Sequence, residues 1–112
     1  MLPGKYNISL YGGDSYFGPE IRIPDLSPFN GPSDLTRATI RAQIRKKPGS
    51  PEFVAFTVTV LDALTRRIRL SLPVADVEAA PVSGEWDLEV SQGEFVRTIL
   101  KGSVSKTPGV TR

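Results

Sequence analysis

Seven short runs alternate apolar with polar residues, turn formers separate them, and only one brief segment has helical spacing. Together these observations predict an all-β chain. The fold expected is an immunoglobulin-like two-sheet antiparallel β-sandwich of about seven strands, with a small closed barrel as the alternative. The 112 residues are read as one domain over 1–112 with extended termini, long enough to bury a core without staples. Ten glycines and ten prolines are spread between the apolar runs rather than gathered in one block, which indicates turns and not a linker.

The first run, KYNISLY, places Tyr6, Ile8 and Leu10 on one face and stops at Gly12-Gly13-Asp14. In the second, YFGPEIRIP, Ile21 and Ile23 alternate around Arg22. The loop DLSPFNGPSD follows, where Pro28, Gly31 and Pro32 forbid regular pairing. The third run, TRATIRAQIRKK, directs Ala38, Ile40, Ala42 and Ile44 one way and Arg37, Arg41, Arg45, Thr39 and Gln43 the other. After a KKPGSP turn, EFVAFTVTVLD is expected to form one strand with Val54, Phe56, Val58 and Val60 inward. RRIRLSLP points Ile68, Leu70 and Leu72 inward, and VADVEAA, stopped by Pro81, is the one helical segment, expected to serve as a crossover. GEWDLEVS then buries Trp86, Leu88 and Val90, and EFVRTILKGSV pairs with it across Gln92-Gly93, with Val96, Leu100 and Val104 on the core side. β-Branched and aromatic enrichment supports each strand.

The arginine stripe of the third run raises the question of a nucleic-acid surface. Net charge is only +2, from 14 basic and 12 acidic side chains, which is a near balance and not the concentrated surplus that phosphate binding uses. An immunoglobulin-like strand order puts the third strand beside the sixth, whose outward residues are Glu85, Asp87 and Glu89. Arg41 and Arg45 are therefore expected to share a mixed-charge outer face with those three carboxylates, each facing pair contributing at most about 1 kcal/mol. A one-residue slip would bury the arginines, so the two rows also hold register. Arg66, Arg67 and Arg69 belong to the other sheet in this topology and read as a solvated edge, with a separate basic patch as the alternative.

There is no cysteine and no histidine. Disulfides, the usual Cys/His zinc site and a His-activated serine or cysteine nucleophile are thereby excluded. No cofactor, metal or small-molecule substrate is expected. The absence of cysteine fits folding in a reducing cytoplasm, and no apolar run has the length of a signal peptide or membrane span, so the chain reads as soluble and unprocessed. Glu85 and Asp87 are close enough to act as an acid and base pair on a sugar, but they face outward toward arginines. Asp14 and Asp34 sit in turns where Asp caps backbone N–H groups, without the alternating oxygen ligands of a calcium loop. YGGDSYFG lacks the lysine and the following helix of a phosphate loop.

Interaction remains. Tyr11, Tyr16, Phe17 and Phe29 occupy loops and strand ends and are the candidate protein interface, the alternative being that they plug the end of the sandwich. The termini, MLPG and KTPGVTR, have the extended character of segments that add to a neighbour's sheet edge, the equal alternative being that they are loose in isolation.

The succession LYGGDSYFGPEIRI, NGPSDLTRATIRAQIRKKPGSP, IRLSLP and SGEWDLEV…EFVRTILKGSVSKTPGVTR resembles small bacteriophage virion proteins. It is similar to the N-terminal domain family of baseplate upper proteins and its stand-alone relatives. The matching positions are Gly13 and Asp14 near the first turn, and Asp34, Leu35 and Thr36 entering the Gln43-Ile44-Arg45 strand. They continue through Trp86 to Glu89 and through Ile99 to Val104 in the final strand. Pro24 and Pro28 depart from the pattern and shorten the second strand. The resemblance implies an immunoglobulin-like attachment module without enzymatic activity, located in the virion after assembly in the host cytoplasm. Its implied partners are other virion proteins of the tail, baseplate, fibre or capsid, met as a symmetric multi-copy assembly. Within that class a capsid decoration protein is the alternative to a tail adaptor. Outside it stand a nucleic-acid module using Arg37, Arg41, Arg45, Arg67 and Arg69, and a carbohydrate-binding module whose platform would come from Tyr11, Tyr16 and Phe29.

Overall fold

The computed structural model describes residues 3–109. In chain order the strands are β1 (Gly4–Lys5), β2 (Ile8–Tyr11), β3 (Tyr16–Arg22), β4 (Thr39–Arg45), β5 (Val54–Ala55), β6 (Thr57–Asp62), β7 (Arg67–Leu72), β8 (Ser83–Gln92) and β9 (Phe95–Thr107). A 3-10 turn covers Ser27–Phe29, and helix α1 covers Val74–Ala79 between β7 and β8. β1 and β5 have two residues each, and each of the other seven strands overlaps one of the seven runs the alternation predicts.

One sheet runs β1-β9-β8-β4-β5, with β2 also on β9, and the other runs β3-β7-β6. Both β1 and β2 pair with β9 in parallel, and the remaining pairings are antiparallel. A second-fifth-fourth strand trio facing a third-sixth-seventh trio is the strand order of an immunoglobulin-like sandwich, once the short β1 and β5 are set aside. The two sheets do not join into a closed barrel. Ile8, Leu10, Ile44, Ile68, Leu70, Leu72, Trp86, Leu88, Val90 and Val104 fill the interior, and no buried residue among those described is polar or charged.

Two predicted alignments differ in the structure. The EFVAFTVTVLD run is not one strand: β5 pairs with β4 through Gln43 and Ile44, whereas β6 pairs with β7 in the opposite sheet. Phe56 is the crossing point. Its N–H donates to the Ala42 carbonyl at 2.8 Å, and its ring is buried against Trp86 and Tyr16. Because Phe56 faces the core from both sheets, the period of two continues across the switch. Val60, expected inside, lies on the rim at 47% exposure.

The second difference is a bulge in β9. Leu88 stands opposite Leu100 but Glu89 stands opposite Thr98, so Ile99 is an extra residue. An inserted residue reverses the faces on one side of itself. Ile99 is buried, Val104 keeps its inward direction, and Val96, predicted inward, turns out to solvent at 57% exposure.

The ends of the sandwich are tied by long side chains. Lys106 on β9 reaches the carbonyls of Val77, Glu78 and Ala80, supplying from another strand the cation that α1 lacks in its last turn. Arg66, in the β6–β7 turn at φ 61°, donates to the carbonyls of Ile23 and Ser33 and so clamps the loop before β4. Asp34 accepts from the backbone N–H and the hydroxyl of Thr36, which is the capping role read from the sequence, and these bonds hold its carboxyl below the usual range. At the first turn that role falls to Glu78, whose carboxylate accepts the Gly13 N–H at 2.7 Å, and not to Asp14.

Candidate interaction surfaces

The ladder between β4 and β8 sets Arg41 opposite Glu89, Gln43 opposite Asp87 and Arg45 opposite Glu85. On the far side of β8, Asp87 faces Lys101 and Glu85 faces Ser103. Basic and acidic rows therefore lie side by side on the outer face of the larger sheet. No ion pair within 4 Å joins them among the described residues. Arg45 instead donates to the Ser50 carbonyl and to Gln43 Oε1, and its guanidinium lies 4.7 Å from the centre of the Phe53 ring. The charges balance across the face without direct pairing, which is the cheaper arrangement for long side chains at a surface. A shallow depression of about 640 Å³ opens here, with Lys5, Arg45, Glu85, Asp87 and Lys101 around it.

Two further arginines lie on the opposite side of the molecule. Arg67 and Arg69 project from β7 on the outer face of the smaller sheet, since Ile68, Leu70 and Leu72 between and beyond them are buried. Arg67 pairs with Asp62 at 3.1 Å and Glu20 at 3.6 Å, and Arg69 donates to the Gly18 carbonyl while stacking 4.5 Å over Phe17. Arg37 precedes β4 and belongs to neither ladder. The five arginines of the nucleic-acid alternative thus do not form one groove.

The four candidate aromatics divide between two poles. Tyr11 ends β2 opposite Thr107, and Tyr16 and Phe17 open β3 across the intervening turn. Phe29, in the 3-10 turn, lies 5.7 Å beneath the Arg97 guanidinium near the other end of β9. Thr107 and Arg97 are ten residues apart on one strand, or about 30 Å. Tyr11, Tyr16 and Phe29 therefore do not assemble into a single flat platform. Phe17 is the most exposed of the four, at 73%, whereas Tyr16 is half-buried against Phe56.

Burial, and next the nearby Tyr6, push the Tyr16 hydroxyl up to about 12. The unfolded chain would release that proton near pH 10. Between these values the folded state holds one proton more, so stability falls as pH rises through that window. Tyr16→Phe is expected to flatten the alkaline decline of Tm between pH 10 and 12. Parallel curves for the two proteins would show that burial does not hold this proton.

The alternation alone did not disclose Phe53, Arg97, Lys106 or the Leu61–Leu64 rim as surface features. Lys106 could have been found by its phase, since it falls at an inward position of its strand, two residues beyond Val104. The expectation for extended, edge-adding termini falls in part on residues 1–2 and 110–112, which lie outside the described residues.

No protein-family model and no curated protein sequence matches this chain. Among solved structures it is similar to an extracellular fragment, including the stalk region, of novel immune-type receptor 11 from Ictalurus punctatus. The identity is 12% and the TM-score 0.42, over 100% of this chain and 90% of the receptor chain. The fold assignment rests on the strand order described above.

Proposed function

We propose that this chain is a non-enzymatic structural protein of a bacteriophage virion, an adaptor or attachment module of the tail, baseplate or fibre assembly. The observation that carries the reading is a set of three surface phenylalanines, each covered by an arginine on a different part of the sandwich. They are Phe17 with Arg69, Phe53 with Arg45, and Phe29 with Arg97. Aromatic and arginine side chains are the types enriched at protein interfaces and their hot spots. Stacking orders each pair before contact, so less side-chain freedom is lost on docking. Three such pairs, on separate surfaces of a rigid body, suit a module that touches more than one neighbour. The resemblance of the strand motifs to virion attachment domains supplies the setting.

Immunogold labelling with an antibody to this chain, on virions released from the host that encodes it, tests the proposal. Label confined to the tail, baseplate or fibres is expected. Label over the whole head would convert the reading to capsid decoration, and unlabelled virions would reject the virion assignment altogether.

A further inference from the structure

We infer that β6 is a docking edge for a second copy of this chain, which pairs with it antiparallel about a two-fold axis at Thr59. The inference stands on the edge itself and does not depend on the virion reading. β6 is the last strand of the β3-β7-β6 sheet, and in such a strand alternate residues direct N–H and C=O groups away from the sheet. Thr57, Thr59, Val60 and Leu61 are all exposed.

Edges of this kind are usually blunted by charge, proline or a bulge that twists them away. The opposite edge of the same sheet is blunted in this way: β3 carries Pro19, Glu20 and a register shift between Phe17 and Glu20. β5, at one edge of the other sheet, is only two residues long. β6 has no proline, no charge occurs from Phe53 to Leu61, and its one register shift, at Leu61 between Val60 and Asp62, leaves Thr57 to Val60 in regular pairing with β7. Its one charge, Asp62, is already paired with Arg67.

The sequence of the strand is compatible with itself. A two-fold axis at Thr59 sets Thr59 against Thr59, Val58 against Val60 and Thr57 against Leu61. Val58 and Val60 face inward, opposite Leu70 and Ile68 on β7, so the mate's valines would cover a rim that is now open to water. No charged residue meets its own copy. On β3 the same operation near the middle of the strand would bring Glu20 toward Glu20. C2 pairing through one self-complementary patch is the commonest form of homo-oligomer. A ladder of five residues lies below the roughly 1,200 Å² of a standard-size interface, so the dimer is weak and forms where the chain is concentrated.

Sedimentation equilibrium of the full chain from micromolar to millimolar concentration tests the inference. The average mass is expected to rise from one chain toward two. Thr59→Lys, which puts like charges face to face at an exposed site, is expected to weaken dimerisation at least about tenfold with unchanged Tm. The chain has no cysteine, so Thr59→Cys provides an independent reading. Facing β-carbons in an antiparallel pair are about 5 Å apart, and that variant should give a covalent dimer under mild oxidation while Thr57→Cys gives far less. A wild type that stays monomeric at millimolar concentration, a dimer unaffected by Thr59→Lys, or equal crosslinking from both positions would overturn the proposal.

Discussion

Gly102→Ala lowers the unfolding free energy by about 3 kcal/mol, the largest loss expected from a single methyl group in this chain. Gly102 stands opposite Trp86 in the β8–β9 ladder, on the inward face. It occupies the gap where the first strand shifts course: β1 pairs with Leu100 and Lys101, and β2 resumes at Val104. Between them Tyr6 crosses directly over the glycine. A β-carbon at Gly102 would overlap the Tyr6 carbonyl oxygen and lie 2.6 Å from the carbonyl carbon. Backbone cannot rotate away as a side chain can, so β1 must lift. Lifting would break the bond from Trp86 Nε1–H to the Tyr6 carbonyl, now 2.6 Å long, and the one from Tyr6 N–H to the Lys101 carbonyl, 2.9 Å. Overpacking contributes about 1–3 kcal/mol, and an unsatisfied buried indole about 1–3 more if β1 leaves completely. Calorimetry should show a Tm lower by roughly 15 °C for a domain of this size. A change of less than about 3 °C would mean that β1 does not pack on β9 as described.

Ile99→Ala and Val96→Asp are expected to separate widely, and in the sense opposite to that predicted by simple alternation. With the bulge in place, Ile99 is a core residue and its truncation costs about 2–4 kcal/mol. Val96 points to solvent, and even an aspartate there changes stability by no more than about 0.5 kcal/mol. Without the bulge the ranking would invert, because a carboxylate would enter the interior. Urea unfolding of the two variants, with m-values compared to confirm an unchanged transition, decides between the registers.

These two sites mark the division between local and non-local information. Where a strand stays in one sheet and keeps one phase of alternation along its length, as in β4, β7 and β8, its faces were legible: Ala42, Ile44, Ile68, Leu70, Leu72, Trp86, Leu88 and Val90 are all buried. The opposed arginine and carboxylate rows also indicated the register of β4 on β8, because a slip of one residue would bury charge. The candidate interface was less legible. Tyr11, Tyr16, Phe17 and Phe29 were recognisable as loop or strand-end aromatics, but their separation to opposite poles depends on where β9 begins and ends. Their arginine partners come from other strands, at distances in sequence that no local pattern encodes.

Local sequence encodes the alternation of faces, the single short helix before Pro81 and an interior free of polar side chains among the described residues. Those follow from side-chain chemistry and the period of two, both of which act over a few residues. Tertiary structure alone decided that the chain changes sheets at Phe56, that Ile99 is inserted into its ladder, and that Gly102 must admit the Tyr6 backbone. Each of these depends on a backbone arriving from elsewhere, and the free energy that favours it comes from packing between segments distant along the chain.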